Sequence, residues 1–256
     1  MQFVTYQCEN KIGYITLSRP DKRNALNHQV VSELKEAFKL ATEDKEAKVI
    51  VLKAAGEAFC AGADLAYLQQ LQQNSYEENL EDSTHLKDLF LQLYTMPKVV
   101  IASIQGHAIA GGSGLAAVCD YSFAVPEAKF GYTEVRIGFI PAIVMVFLLR
   151  KIGEQKAKDL LLSGRLISAK EAVEYGLINK VIKENLEQEV ATFAQDLIAK
   201  NSTQSMAATK QMIAQVQHLT LEEALNYAVK QNAKTRATED CKKGIASFLN
   251  KEPVNW

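Results

Sequence analysis

Two glycine-rich segments are the parts of this 256-residue sequence best suited to chemistry. They lie at residues 57–65 and 107–115, and each follows an apolar run typical of a buried strand. A shift of fifty positions superimposes small residues of the two segments, with Gly62 matching Gly112. We interpret this match as a repeated unit of strand, turn, glycine loop and helix start.

The chemistry of these loops would come from backbone N–H groups, which lack intrahelical partners at the start of a helix. One such loop could bind a phosphate, but neither has the GxxxxGK[ST] or GxGxxG spacing of nucleotide sites. Two loops could instead direct two N–H groups at one oxygen and form an oxyanion hole. The alternative interpretation, which stays open, is that these glycines allow a strand to pack tightly on a helix.

Glu134 is the candidate acid or base. It lies among apolar and glycine residues at 130–141. Burial of a carboxyl group raises its pKa, which suits proton transfer near neutral pH. A surface ion pair with Arg136 is the alternative, and the sequence leaves both interpretations open.

Other catalytic and metal-binding patterns are not found in the sequence. There is no GxSxG elbow, and the four histidines do not cluster with carboxylates at ligand spacing, so we expect no metal site. The four cysteines also lack zinc-type spacing. His107 lies in the second glycine loop, and we interpret it as a hydrogen-bonded structural histidine.

The elements that must position these residues alternate between strand and helix, which indicates an α/β architecture. Strands are predicted at residues 12–18, 49–52, 99–102 and 121–125. An amphipathic helix follows the first strand and has an apolar face formed by Val30, Val31, Leu34, Ala37, Phe38 and Ala41.

The later part of the chain is predominantly helical, with capping boxes at residues 168–171 and 220–223. We predict an α/β core at residues 1–195 and a helical C-terminal region at residues 196–256. The polar segment 69–82 is interpreted either as a mobile lid or as a solvated helix end.

Composition narrows the class of protein. The chain is 48% hydrophobic and 23% charged, with a net charge of -1, as expected for a soluble globular protein and not for a nucleic-acid binder. Residues 99–119 carry no charge, but glycines and polar side chains interrupt them, so we expect no membrane span. The first six residues lack a basic segment before an apolar run, and we expect a cytoplasmic location.

Three segments, residues 59–65, 106–120 and 130–141, resemble the enoyl-CoA hydratase/isomerase (crotonase) family. Residues 17–26 resemble the early loop of that family, and residues 160–177 resemble its later stretch. The resemblance therefore covers nearly the whole chain, with the motifs in the family's order.

The resemblance implies a spiral of ββα repeats with a C-terminal helical oligomerisation region that builds homotrimers, often paired into hexamers. It implies acyl-CoA thioesters as substrates, with coenzyme A as part of the substrate and no separate cofactor. The oxyanion N–H groups would be those of Ala63 and Gly111, and Glu134 would be the general acid or base. Residues near the substrate would be Arg19, Lys22, Arg23, Ala25, Ala61, Asp64, Leu65, Gly112, Gly114, Phe248 and Lys251.

The sequence departs from the family in two places. Hydratases of the family carry two glutamates; the second maps to Glu134, but the first maps to Gly114, which has no side chain. Hydration would then need another group, such as His107, Asp64 or a residue of the polar segment. The second departure is at residues 142–147, which are apolar where the family has a glycine-rich stretch, and which either reshape the acyl pocket or pack the core.

A single glutamate resembles family members that move a double bond from the β,γ to the α,β position, so isomerisation is the favoured reaction. Hydration of an enoyl-CoA or methylglutaconyl-CoA follows closely, since residues 141–153 resemble hydratases of those substrates. Decarboxylation, and a non-catalytic relative that binds RNA or protein, are the remaining alternatives.

Overall fold

The larger of two sheets has six strands and is assembled from the apolar runs of the sequence. A computed structural model describes residues 1–254 and 256. β1 (Val4–Glu9) and β2 (Ile12–Leu17) form an antiparallel hairpin. The strands that continue the sheet in parallel are β3 (Val49–Ala54), β5 (Val99–Ile104), β7 (Tyr121–Ala124) and β10 (Lys180–Val181).

The smaller sheet contains four strands of three residues each. Its order is β4 (Ala58–Cys60), β6 (His107–Ile109), β8 (Lys129–Gly131) and β9 (Leu166–Ser168), with only β9 antiparallel to its neighbour. The chain passes from the large sheet to the small sheet three times, from β3 to β4, from β5 to β6 and from β7 to β8. A helical segment follows each passage, which confirms the α/β spiral of ββα units.

The predicted repeat is visible in the pairing of the strands. Val49 lies opposite Val99 and Leu52 lies opposite Ala102, so the register of β3 on β5 equals the shift of fifty positions. α2 (Leu65–Leu71) begins after the first glycine loop. In the second unit α4 (Gly111–Val118) takes the corresponding place.

The main hydrophobic core lies between the sheets and the helices. α1 (His28–Glu43) contributes the six apolar residues predicted from its periodicity, and all six are buried. α3 (Tyr76–Thr95) and α5 (Ala142–Ile152) cover α4 with Phe90 and Leu148. β5 is buried along its whole length and is apolar except for Ser103, because both of its faces are covered.

The second half of the chain is mostly helical, as predicted. It contains α6 (Glu154–Ser163), α7 (Ala169–Tyr175), α8 (Leu186–Lys200), α9 (Thr203–Val216), α10 (Leu221–Thr235) and α11 (Glu239–Asn250). Both predicted capping boxes are formed, at the starts of α7 and α10. Among the described residues, no helix combines the length and the apolar character that crossing a membrane requires.

The predicted boundary between residues 195 and 196 falls inside α8, and it needs correction. This helix is continuous, and its apolar face, including Val190, Ala194 and Ile198, packs with Val51 and Ile101 of the large sheet. α8 therefore belongs to the α/β core throughout its length. The helical hydrogen bonding ends at Asn201, after which Ser202 caps α9.

The polar segment 69–82 is largely helical. It contains the end of α2, a short turn, and the start of α3, where Ser75 and Glu78 form a capping box. The hydroxyl of Tyr67 donates a hydrogen bond to Asp82, which ties α2 to α3. The movement of this segment as a lid stays a prediction.

A buried ion pair fastens α9 to the core. Lys210, which is 7% exposed, donates from Nζ to Asp120 Oδ2 at 2.7 Å and to the carbonyl oxygen of Lys98 at 3.0 Å. The same carboxylate accepts from the N–H of Val100 at the start of β5. One cation therefore satisfies two oxygens beside the central strands.

Replacement of Lys210 by Met should destabilise the protein by about 2–3 kcal/mol, because Asp120 loses its cation while partly buried. The matched control is Lys200→Met, which breaks an exposed pair with Asp196 at 2.7 Å and should cost less than about 0.5 kcal/mol. Urea unfolding measures both. Equal effects of the two substitutions would show that the buried pair has no special role.

Candidate active site

The two glycine loops meet directly. Gly62 has a φ of +88°, and a Cβ atom placed there would lie 2.7 Å from Ala110 Cβ and 3.3 Å from the nitrogen of Gly111. A side chain at Gly62 would therefore push the loops apart. Because Gly62 carries no side chain at this contact, the first loop can lie against the turn at Ala110 and Gly111, and the backbone of Ala63 lies close to that of Gly111.

Leu26 fixes the orientation of Ala63. Its N–H donates to the carbonyl oxygen of Gly62 at 2.7 Å, and its own carbonyl oxygen accepts from the N–H of Asp64 at 2.8 Å. Successive peptide groups in an extended segment point to opposite sides. The N–H of Ala63 therefore points away from Leu26, and it has no acceptor among the residues described.

The N–H of Gly111 is the first of α4. It follows Ala110, whose φ of 52° and ψ of -119° are unusual for a residue with a side chain. Two hydrogen bonds hold this turn: Ala110 N–H donates to Gly131, and Gly114 N–H donates to Ala110. Within the described chain the Gly111 N–H also lacks an acceptor. Two unpaired N–H groups from adjacent loops can act together as an oxyanion hole.

β8 carries the candidate base to this place. Gly131 donates from its N–H to Ser113 Oγ at 2.9 Å, and that hydroxyl donates to the carbonyl oxygen of Ala108 at 2.6 Å. The end of β8 is thereby joined to the first turn of α4. Glu134 lies three residues further along, at the start of a 3-10 helix spanning Glu134–Ile137.

Glu134 is in the environment expected of a general base. Its Oε2 is buried and has no hydrogen-bond partner among the described residues, and desolvation raises the pKa of the carboxyl group. Across the described residues it forms no ion pair with Arg136, so the alternative interpretation of a surface pair was wrong. An unpaired buried carboxylate oxygen is available to a substrate proton.

Tyr132 is a second buried polar group beside this base. The side chain is fully buried, and its hydroxyl has no partner within the part of the chain described. Burial raises the pKa of the Tyr132 phenol, and the charge of Glu134 raises it further. The sequence analysis missed this residue, because an apolar setting does not distinguish a packed ring from one whose hydroxyl stays unpaired.

Gly114 has no room for a side chain. A Cβ atom there would lie 2.3 Å from Cγ1 of Val144 and 3.1 Å from Cε1 of Phe90. The two positions at which the sequence was expected to depart from the family are therefore in contact, since Val144 fills the space beside Gly114. The sequence analysis identified both departures, but it did not identify the contact between Gly114 and Val144.

Asp64 does not replace the missing carboxylate. Its Oδ2 lies 2.8 Å from Arg19 Nη1, and its Oδ1 accepts from the N–H of Ala66 at the start of α2. Burial alone would raise the pKa of Asp64, but these hydrogen bonds lower it below its ordinary value. This carboxylate ties the early loop to the glycine loop. His107 is exposed on β6.

The early loop is held by a buried asparagine. Asn24 is fully buried and donates to the carbonyl oxygens of Ala55 and Ala58, both at 2.8 Å. Arg19 is also engaged, because it pairs with Asp64 and donates to the carbonyl oxygen of Ala25. The role of Asn24 was missed, although its burial could have been suspected from its place between two loops.

The other residues implied by the resemblance lie in several parts of the fold. Lys22 and Arg23 are exposed and form no ion pair with any described residue, so they are free to meet an anion. Ala61 donates from its N–H to the carbonyl oxygen of Arg23, and Leu65 is 70% exposed at the start of α2.

The remaining positions lie in the core or on the last helix. Gly112 is buried, and a Cβ atom there would lie 2.1 Å from the carbonyl oxygen of Cys60, so this position, like Gly114, has no room for a side chain; contact of the two glycines with a substrate stays a prediction. Ala25 is also buried. Phe248 is 84% exposed on α11, and Lys251 caps the end of that helix, so most of the Phe248 ring is left uncovered by the described residues.

Comparison with known proteins identifies the class. The model of the family "Enoyl-CoA hydratase/isomerase" matches residues 7–256. A Thermus thermophilus protein provisionally assigned as an enoyl-CoA hydratase is 40% identical over 245 residues, covering 96% of this chain and 97% of that protein. The crotonyl-CoA hydratase of Syntrophomonas wolfei is 32% identical over 251 residues, covering 97% and 95%.

Solved structures of enoyl-CoA hydratases also match the fold of this chain. The crystal structure of an enoyl-CoA hydratase from Shewanella pealeana has a TM-score of 0.93 and 27% identity, and the match covers 99% of this chain and 96% of the other. The chain belongs to the enoyl-CoA hydratase/isomerase family of enzymes. The resemblance seen in the sequence is thereby confirmed.

The contact between the glycine loops can be tested with Gly62→Ala, which should sharply lower both turnover and stability. The control is Gly176→Ala, at a φ of +77° with no atom within 4 Å of the added Cβ. Both substitutions incur the same backbone strain, of about 1 kcal/mol. Only Gly62→Ala separates the two N–H groups. Thermal unfolding and steady-state kinetics should distinguish the variants, and matching losses would contradict the role assigned to this contact.

Proposed function

We propose that this enzyme binds an acyl-CoA thioester and stabilises its enolate with the N–H groups of Ala63 and Gly111. Removal of a proton α to a thioester places negative charge on the carbonyl oxygen. Each aimed N–H group would lower the barrier by about 3 kcal/mol, as in oxyanion holes generally. The proposal rests above all on Glu134, a partly buried carboxylate whose Oε2 is buried and unpaired, carried by β8 to the loop that presents Gly111.

The reaction we favour is movement of a double bond from the β,γ to the α,β position. Glu134 takes a proton from the α-carbon, the electron pair delocalises into the enolate, and the protonated carboxyl returns a proton to the γ-carbon. The reaction consumes no water and is neutral in redox terms, so it needs one acid–base group only. The apolar contact of Gly114 with Val144 and Phe90 supports this choice, because it leaves no place there for a second carboxylate.

Hydration is the second candidate, and it is favoured by the comparisons. Relatives include a crotonyl-CoA hydratase from Syntrophomonas wolfei and a 2,3-dehydroadipyl-CoA hydratase from Escherichia coli. Water would then have to be activated by Glu134 itself or by another group. The engagement of Asp64 with Arg19 argues against Asp64 and leaves His107 or a residue of the polar segment 69–82 as the candidates from the sequence analysis.

Two further features support an acyl-CoA ligand and an assembled enzyme. Lys22 and Arg23 are exposed and suited to the phosphates of coenzyme A. α10 exposes Leu221, Leu225 and Val229 on one face, and α11 exposes Ile245, Phe248 and Leu249. Apolar stripes of this kind are suited to contact between subunits, in line with the proposed homotrimer or hexamer, in which Phe248 and Lys251 would approach a neighbour's ligand.

The experiment that tests the reaction is incubation with β,γ-enoyl, crotonyl and methylglutaconyl thioesters of coenzyme A in ¹⁸O-labelled water. Chromatography separates the double-bond isomers, and mass spectrometry detects added oxygen. We expect a shifted double bond without ¹⁸O. Incorporated ¹⁸O would make hydration the reaction, and loss of CO₂ would indicate a decarboxylase. No turnover of any thioester would favour a non-catalytic relative.

Glu134→Gln should reduce turnover by a factor of about 10²–10⁴ while thioester binding changes little. In the wild type, kcat/KM should fall as pH drops through the raised pKa of Glu134, since only the ionised carboxylate removes a proton. The folded protein favours the protonated form of Glu134, so ionisation of this carboxyl group above its raised pKa destabilises the fold. The substitution Glu134→Gln should therefore not lower the melting temperature at pH 8. Full activity in the variant would remove Glu134 from the mechanism.

A further inference from the structure

An apolar wall borders the candidate site on the side of Gly114. Val144, in the first turn of α5, is 4% exposed and would contact any side chain at position 114. Phe90 of α3 closes the same space, and its ring lies 5.8 Å from that of Phe147. Three helices therefore contribute to one surface, which the apolar side chains of Val144, Phe90 and Phe147 form beside Gly114.

This wall lies next to the proposed oxyanion hole. Gly114 is three residues after Gly111 in α4, so the two share a face of the helix. A carboxylate at position 114 would need a Cβ atom 2.3 Å from Val144 Cγ1, a distance that atoms do not adopt. The shape of Val144, rather than the absence of an acid alone, therefore defines this side of the site.

We propose that Val144 is a specificity-determining residue of this enzyme. By filling the space beside Gly114, its side chain excludes both a second acid and a bound water molecule, so that Glu134 transfers protons in a site closed to solvent. This inference rests on the proposed enolate chemistry and deepens it. In this proposal, the side chain of Val144 on α5 determines whether the enzyme transfers a proton or adds water.

The test uses butyryl-CoA in D₂O, because exchange of its α-hydrogens needs an enolate but no movement of a double bond. Glu134 removes an α-proton, exchanges it with solvent and returns deuterium. Val144→Gly should admit water and raise the exchange rate several-fold over the wild type. Val146→Ala on the same helix, at a position 42% exposed, is the matched control and should leave the rate unchanged.

A second pair of variants tests the packing without reference to catalysis. Gly114→Ala alone should lower the melting temperature, because its methyl group collides with Val144. The double variant Gly114→Ala with Val144→Gly should recover most of that loss and return the exchange rate toward the wild-type value, since the new methyl refills the space. Rescue of this kind requires direct contact between the two positions.

The outcomes separate the two proposals. If butyryl-CoA exchanges its α-hydrogens but no β,γ-enoyl-CoA isomerises, the isomerase proposal fails while the role of Val144 is still judged by the variants. Unchanged exchange in Val144→Gly, or absence of rescue in the double variant, overturns the role of Val144. Fast ¹⁸O incorporation into crotonyl-CoA by the wild type overturns both, because water then already reaches the site.

Discussion

The close contact between Gly62 and the turn at Ala110 and Gly111 is the constraint on which the site depends. Two peptide N–H groups can serve one oxygen only when their loops approach more closely than side chains permit. Gly62 meets this requirement with a φ of +88°, and Gly111 meets it by having no side chain where a Cβ atom would lie 3.2 Å from Leu26 Cδ1 and 3.7 Å from Gly62 Cα. Ala110 accepts an unusual backbone conformation. The repeated ββα unit is what brings the two loops to equivalent positions on neighbouring strands.

Around that contact the protein uses hydrogen bonds to the backbone rather than side-chain chemistry. Leu26 pairs with both peptide groups that flank Ala63, and Asn24 joins the early loop to the turn after β3. Ser113 performs the same task between α4 and β8. These hydrogen bonds orient the two donors in the absence of a ligand, and a pre-oriented pair of donors needs no reorganisation as charge develops. Among the described residues, Glu134 is the acid with a buried carboxylate oxygen that has no hydrogen-bond partner.

Long periodic elements could be predicted from the sequence because their burial is encoded locally. The six buried residues of α1 and the parallel register of β3 on β5 follow from spacing alone. Three-residue strands such as β4 and β6 have no periodicity to detect and exist through pairing between distant segments. The boundary placed within α8 failed for a related reason, since continuous helical periodicity does not reveal that the helix packs on a sheet.

In the candidate site, too, features encoded locally could be predicted and features that depend on contacts between distant segments could not. The neighbours of Glu134 are apolar in the sequence itself, so its raised pKa could be anticipated. The contact of Gly114 with Val144 could not be anticipated, because it depends on how α4 packs against α5. In the sequence alone, Gly114 makes the expected motif look incomplete by one glutamate. In the folded protein, the side chain of Val144 on α5 occupies the space beside Gly114 on α4, so a space that could hold an acid is filled by the hydrophobic core.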